Sequence, residues 1–444
     1  MSDPQAAGPE QQGDKSPSRK SPGDLSPGTG HETRAAGSPP PAAAPVSRPR
    51  SAADIAAMVQ WAIAGGKVLE IAGHGTKRQI GRPVPADAVL DVSEVSGIVG
   101  YEPQELVLTA HAGTPVADIA ALLASRDQEL AFEPLDYGPL LWGAPGRGTI
   151  GGMVAANVSG PRRLRAGAAR DHLLGAVAVT GRGEIIRTGG RVVKNVTGFD
   201  LCKLLAGSWG TLGVLAEVTL KVLPRAPREA TLAVFGLSDR EAAGVMAAAL
   251  ATPFAISGAA HLPDHIAARF DGLERPEAAT VFRVEGPLRI DVDGLRNAVR
   301  RSGDVATLED DQSRALWRSI RDAGPLRADG VWGDRPLWRV SVPPMRGHDL
   351  AARISPAAAL FYDWAGGLLW IAPPPSPDCS AATIRAAVAA TGGHATLVRA
   401  SPAARASLAP FQPETAALAA LTRRVKENFD PKGVLNPGRM WAGV

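Results

Sequence analysis

Residues 190 to 224 read Gly-Arg-Val-Val-Lys-Asn-Val-Thr-Gly-Phe-Asp-Leu-Cys-Lys-Leu-Leu-Ala-Gly-Ser-Trp-Gly-Thr-Leu-Gly-Val-Leu-Ala-Glu-Val-Thr-Leu-Lys-Val-Leu-Pro. Small and polar residues (Asn195, Thr197, Gly198, Gly207, Ser208, Gly210, Thr211, Gly213) sit between apolar positions. A core built only for packing does not need so many glycines, whereas a backbone that comes close to a large ligand does.

Two other glycine-rich turns share this character. Ile71-Ala-Gly73-His74-Gly75-Thr76-Lys77 directly follows a strand-like run. Its glycines permit positive φ and let successive N–H groups converge on an anion, while Thr76 and Lys77 add a hydroxyl and a charge. A pyrophosphate fits there, and a plain strand-ending turn is the alternative. Gly146-Arg-Gly148-Thr149-Ile150-Gly151-Gly152 satisfies Gly-x-Gly-x-x-Gly, with Asp171 about 20 residues further on, as in a nicotinamide-binding Rossmann unit. The context argues against that unit. A proline-containing stretch precedes the motif where a buried strand belongs, and Gly160-Pro161 cuts the following helix short.

The 444 residues suffice for two or three domains, and an apolar fraction of 45% with 21% charged residues places the chain among globular proteins. A net charge of +4, scattered along the sequence, indicates neither a nucleic-acid groove nor a polybasic membrane patch. Only Cys202 and Cys379 occur, which fits a reducing compartment and cannot supply an ordinary four-cysteine iron-sulfur cluster. No apolar run reaches the roughly 18 residues of a membrane span, and the amino terminus has no signal-peptide core. The expected location is cytoplasmic.

Residues 1–49, rich in Pro, Ser, Gly and Ala, read as a disordered tail. From Ser51 the spacing predicts a capped helix through Ile55, Met58, Val59 and Ala62, then strands at 68–71 and 106–110, a helix at 115–124, and a hairpin at 174–188 turning on Gly181-Arg-Gly183. After Pro224 the rhythm changes. Strands at 231–235, 279–284, 337–342, 358–362, 367–371 and 395–399 alternate with helices at 239–250, 292–301 and 381–390. Such alternation predicts an α+β chain with an antiparallel sheet carrying helices on one face, and a domain boundary near Arg225.

Read together, the two turns, the long stretch and Asn428-Phe-Asp430-Pro-Lys-Gly433-Val-Leu-Asn436-Pro-Gly438-Arg439 closely resemble the FAD-binding domain of the vanillyl-alcohol oxidase (PCMH-type) superfamily. Leu337-Trp-Arg-Val-Ser-Val-Pro-Pro344, Asp363-Trp-Ala-Gly-Gly367 through Trp370, and Gly392-Gly-His394 resemble, more narrowly, the FAD-binding E subunit of bacterial glycolate oxidase. The resemblance implies a two-subdomain FAD-binding domain at 50–225 and a smaller ferredoxin-like α+β cap at 226–444, with 414–444 returning to the cofactor.

It also implies site residues. Gly73, His74, Gly75, Thr76 and Lys77 match the family's first pyrophosphate loop, and Gly148, Thr149, Ile150, Gly151 and Gly152 its second phosphate and ribose contact. Gly160 and the Arg170-Asp171-His172 segment resemble the turn beside the flavin. Lys194, Asn195, Gly198, Gly207, Ser208, Gly210, Thr211, Gly213 and Val214 match the long signature, whose last part lines the adenine side. Asn436 and Gly438 resemble the turn near the isoalloxazine ring. Some relatives attach FAD through a histidine in the first loop, but aligning Thr76 with the loop's Ser or Thr puts Gly75 at that position, so non-covalent FAD is expected.

No catalytic residue stands out. Oxidising a 2-hydroxy acid needs a base, a cation for the carboxylate and flavin N5 as hydride acceptor. Arg339, His394 and Arg399 are available, yet each reads equally well as a surface residue. The Gly-Asp-Gly-Asn-x-His segment and metal-binding histidines of related dehydrogenases have no match. His261 and His265, four apart with Pro263 between them, read as a solvated helix entry rather than a metal site. Arg162, Arg163 and Arg165 read as a solvated loop, Trp338, Trp364 and Trp370 as second-domain core, and Cys202 as a small buried apolar residue. The resemblance implies a subunit of a glycolate-oxidising complex, cytoplasmic or held at the inner membrane face, with a paralogous FAD-binding catalytic subunit and an iron-sulfur subunit. A self-sufficient FAD oxidoreductase on another hydroxy acid or alcohol, and a non-catalytic scaffold, are the alternatives.

Overall fold

The computed structural model describes residues 44–190, 200–273, 275–286, 292–300 and 302–444. Lys194, Asn195 and Gly198 therefore lie outside the described residues. Residues 44 to 49, expected in the tail, already belong to the fold: Val46–Ser47 pairs parallel with a strand at Ala88–Asp91.

In the amino-terminal half, α1 (Ala52–Gly65) starts where Ser51 accepts from Asp54 N and stops at Gly66, whose φ of 59° leaves the helix. Ile55, Val59 and Ala62 recur at helical spacing and are fully buried. β1 (Leu69–Ala72) and β2 (Ala88–Asp91) pair in parallel, and Leu435 bridges to Leu69 on β1's other edge. Next come β3 (Ile98–Glu102), β4 (Val107–His111), α2 (Val116–Ala124), α3 (Ile150–Ala155), β5 (Leu173–Thr180), β6 (Ile185–Gly189) and β7 (Gly213–Lys221). Their five strands form an antiparallel sheet in the order β3-β4-β7-β5-β6. The second half of the opening stretch is thus the sheet's central strand.

The carboxyl-terminal half builds an eight-stranded antiparallel sheet. Its elements are β8 (Arg228–Phe235), α4 (Asp239–Leu250), β9 (Ile256–Leu262), β10 (Ala279–Gly286), α5 (Val292–Val299), β11 (Val305–Glu309), α6 (Asp310–Arg321), β12 (Leu337–Ser341), α7 (Gly347–Ala351), β13 (Ala359–Asp363), β14 (Leu368–Ala372), α8 (Ala381–Thr391) and β15 (His394–Arg399). The order β11-β8-β10-β9-β13-β14-β12-β15 resolves into two β-α-β-β-α-β units set edge to edge. One ladder pair, His261↔Tyr362, joins them. The cap is therefore two ferredoxin-like units rather than the single smaller one expected.

Burial explains why these strands are apolar throughout. Leu232 and Val234 point to the helices with Met246 and Leu295, while Ala233 and Phe235 point to the amino-terminal half, in one cluster with Phe132, Leu140 and Trp370. With both faces covered, alternation disappears. For that reason β9, Ile-Ser-Gly-Ala-Ala-His-Leu, carries no strand signal in the sequence. After β15, α9 (Ala416–Phe429) leads back to the first half.

Candidate functional site

The first glycine-rich turn leaves β1 and meets the second at the start of α3. His74 Nδ1 lies 3.0 Å from Arg147 O, and Thr149 caps α3 by accepting from Gly152 N at 3.3 Å. The backbone N–H groups of His74, Gly75, Thr76 and Lys77 find no acceptor among the described residues. Four successive free donors lining a cavity of about 90 Å³ form an anion cradle.

Two cations share that cradle. Arg439 is 5% exposed, yet its Nε has no partner. Its Nη2 donates to Lys77 O at 2.9 Å, and the Glu70 carboxylate is 3.9 Å away. Burial lowers the Arg439 pKa to about 10 against the opposing pull of Glu70. Lys77, half-buried, donates to Thr76 Oγ1; burial lowers its pKa to about 8, Asp136 pulling it up and Arg439 down. A buried cation with incomplete compensation costs several kcal/mol. An anionic ligand offsets that cost, and a dinucleotide diphosphate matches the donors and charges. Val92, Ala112, Val214 and Leu215 add an apolar slot to the same cavity.

Most sequence-predicted site residues converge here. Gly73, His74, Gly75, Thr76, Lys77, Thr149, Gly151, Gly152, Gly210, Gly213, Val214 and Asn436 line this cavity, and Gly148 lines an adjoining one of about 570 Å³ that also reaches Lys77. Asn436 staples three segments, its Oδ1 accepting from Ile71 N at 2.9 Å and its Nδ2 donating to Trp209 O at 2.8 Å. Gly210 sits at φ 73°, and a Cβ there would come within 2.9 Å of that Asn436 amide.

Others stand behind the wall. Ile150 is core. Gly160 packs where a Cβ would meet Glu133 O at 2.3 Å. Ser208 and Thr211 turn their hydroxyls onto Leu205 O and Ser208 O, and Gly207 N donates to Val154 O. Asp171 accepts from Ala168 N, and Gly438 N donates to Val444 O. The sequence reading missed Trp209, Arg439 and Asp136. Asp136 accepts from Gly138 N and Gly146 N, which folds the loop that leads to Gly148.

The larger cavity lies between Ala117, Ala120 and Ala124 of α2 and Arg314, Arg318 and Arg321 of α6. On its wall Glu133 takes Arg283 Nη1 and Nη2 at 2.9 and 3.0 Å and lies 3.2 Å from Arg162. Arg162 also pairs with Glu129, Glu229 and Glu285, so it is a partly buried cross-link between the halves, not a solvated loop residue. Burial alone would raise the Glu133 pKa, but Arg283 and Arg162 hold it at about 2.

Arg399 donates to the carbonyls of Arg335, Leu140, Leu326 and Trp332, which makes it a structural pin. His261 is buried on strand β9, not at a solvated helix entry. Its ring nitrogens meet Thr280 Oγ1 at 2.9 Å and Asp239 Oδ1 at 3.2 Å, while His265 Nε2 accepts from Leu360 N. Trp338, Trp364, Trp370 and Cys202 are all buried.

Residues 43–189 match the family model described as "FAD binding domain". The chain is 35% identical to the glycolate oxidase subunit GlcE of Escherichia coli (strain K12), over 86% of this chain and 95% of that one. It is 33% identical to the glycolate oxidase subunit GlcD of Bacillus subtilis (strain 168) over 34% of this chain and 30% of that one. Among solved structures, 4-ethylphenol oxidase from Gulosibacter chungangensis superposes with a TM-score of 0.63 at 14% identity, covering 89% of each chain, a likeness of fold alone. The family model and the relatives make the chain a member of the FAD-linked oxidoreductases with a PCMH-type FAD-binding domain, in an α+β fold like that of FAD-binding oxidases. The chain belongs to the family of the glycolate oxidase subunit GlcE.

Proposed function

We propose that this chain is the FAD-carrying subunit of a glycolate oxidase complex that converts glycolate to glyoxylate. The observation that carries the reading is the cradle of unpartnered N–H groups from His74 to Lys77, faced by Arg439 with its unpaired Nε. FAD held there supplies a hydride acceptor and an electron carrier. The turns at Gly73 and Gly148, with Lys77 and Arg439, bind its diphosphate, and the slot of Val92, Ala112 and Val214 takes the adenine. The cofactor is non-covalent, since Gly75 stands where relatives attach it and His74 Nδ1 is already engaged with Arg147 O.

Cys202 and Cys379 are buried thiols far apart in sequence, so an iron-sulfur centre belongs to another subunit. A paralogous FAD-binding subunit completes the complex, and this chain relays electrons or completes the assembly. Among the described residues no helix is long and apolar enough to cross a membrane.

The purified chain should show a flavin spectrum that denaturation releases, and should co-purify with a cysteine-rich partner. A colourless chain that refuses FAD would leave only a scaffold role. Full-rate dye reduction with glycolate by the isolated chain would replace the subunit reading with a self-sufficient enzyme.

A further inference from the structure

The turn between β13 and β14 reads Asp363-Trp364-Ala365-Gly366-Gly367. Trp364, Ala365 and Gly366 adopt φ of 52°, 54° and 90°, a left-handed run that side chains, bulky ones most, disfavour. One contact across the two halves and one within the turn hold it: Trp364 Nε1 donates to Gly160 O at 2.9 Å, and Trp364 N donates to Asp363 Oδ1 at 2.7 Å. The result is an indole with two guanidiniums against it. Arg163 Cζ, from the FAD-binding half, lies 4.5 Å from the ring centre, and Arg339 Cζ, from the cap, 4.8 Å.

Neither guanidinium has a hydrogen bond or ion pair among the described residues. Register adds a third basic group, because Arg339 opposes Trp370 and Thr396 while Ser341 opposes His394, so Arg339, Trp370 and His394 share one face of the sheet. That face is the one packed toward the FAD-binding half, where Trp370 lies. Burial, then Arg339, lowers the Arg163 pKa; desolvation, then Arg339 and Arg163, lowers that of His394. The acids that face this group do not balance it. Asp171 caps Ala168 N and pairs with Arg170 at 3.8 Å. Asp363 is fully buried, which raises its pKa to about 7. Cations gathered without a matching counter-charge repel one another unless an anion joins them.

We propose that Arg163 and Arg339 clasp the carboxylate of a small organic acid against Trp364. This rests on the reading of the chain as a hydroxy-acid flavoprotein, and it supplies the substrate-binding cation that the sequence leaves unassigned. A free small acid fits better than a partner's side chain: Arg163 is exposed, but Arg339 is half-buried and also stacks on Trp370, whose ring meets edge-on, at 6.5 Å, that of Tyr137, a residue of the larger cavity's wall.

The test uses the full chain loaded with FAD and 2-hydroxyisobutyrate, which has no α-hydrogen to lose, beside its uncharged amide, titrated by calorimetry and flavin difference spectra. The acid should bind at least tenfold tighter than the amide. Arg339→Met and Arg163→Met should each weaken the acid tenfold or more, leave the amide and FAD content unchanged, and Arg339→Lys should recover part of the loss. Unaltered acid binding in both variants at full FAD occupancy overturns the clasp. So does loss of a co-purifying subunit with acid affinity intact, because the arginines would then hold a partner's acidic group. If the chain takes up no FAD, the flavoprotein reading fails, and the acid-against-amide titration of the FAD-free chain still decides the clasp.

Discussion

Arg439 and Lys77 are cations whose surroundings are unfavourable until an anion arrives, and that makes opposite predictions for stability and binding. Arg439→Met should leave the FAD-free fold as stable or slightly more so, because an apolar chain of similar length replaces an under-compensated buried charge. The same change should weaken FAD by about 10- to 100-fold, the worth of one charge-assisted hydrogen bond at roughly 1.5 to 3 kcal/mol. Thermal melts without cofactor and flavin-fluorescence titrations check the two halves; parallel losses would mean that Arg439 only packs. Lys77 is charged below its pKa of about 8 and loses that charge above it. FAD capture should therefore weaken as pH rises through about 8, in a profile that Lys77→Met flattens. At this scale the glycines and Lys77 were legible because loop chemistry is local. Arg439 was not singled out, although it closes the quoted Asn436-Pro-Gly438-Arg439 motif. A terminal arginine looks solvated until the fold buries it.

Elements were legible where they carried their own punctuation. Ser238 and Glu241 form a complete capping box at the start of α4, and its span, Asp239–Leu250, can be read from the sequence. β9 has no such signal, because a strand covered on both faces keeps no alternation, and its His261 read as part of a solvated helix entry for the same reason. The carboxyl-terminal turn shows how an element reaches the site. On α9, Lys426 Nζ donates to Asp430 Oδ2, Thr211 O and Leu435 O, and Asp430 in turn accepts from Val434 N and Leu435 N. That latch carries Asn436 to β1 and to Trp209. Lys426→Met leaves a buried, uncompensated Asp430 carboxylate and should cost about 3 to 5 kcal/mol. Urea unfolding should register that loss. Limited proteolysis should cut first after Asp430, since the segment that follows loses its anchor. An unchanged midpoint would show that the turn holds without the lysine.

Across the whole molecule, two β-α-β-β-α-β units present one sheet to the FAD-binding half, and the two halves meet through charge as well as apolar packing. The duplication was hidden in the sequence because the units share architecture rather than residues, and their seam is a single ladder pair. The charged contact was hidden because Glu133, Arg162 and Arg283 are distant in sequence and only folding brings them together. Glu133 is held at about 2 by Arg283 and Arg162, below the ordinary 4.5. A carboxyl whose folded pKa is depressed contributes stability above its unfolded pKa and loses it as pH falls toward the folded one. Two to three pKa units at 1.36 kcal/mol each give about 3 kcal/mol, present at neutral pH and lost between about pH 4.5 and 2. Glu133→Gln, which leaves Arg283 and Arg162 short of a partner, should cost about 3 to 5 kcal/mol at pH 7. At pH 3 the gap between variant and parent should narrow, because the parent is by then losing the same interaction. Denaturant titrations of both proteins at the two pH values measure that gap. A gap that stays constant would mean that Glu133 acts through packing, and that the halves are joined by their apolar faces alone.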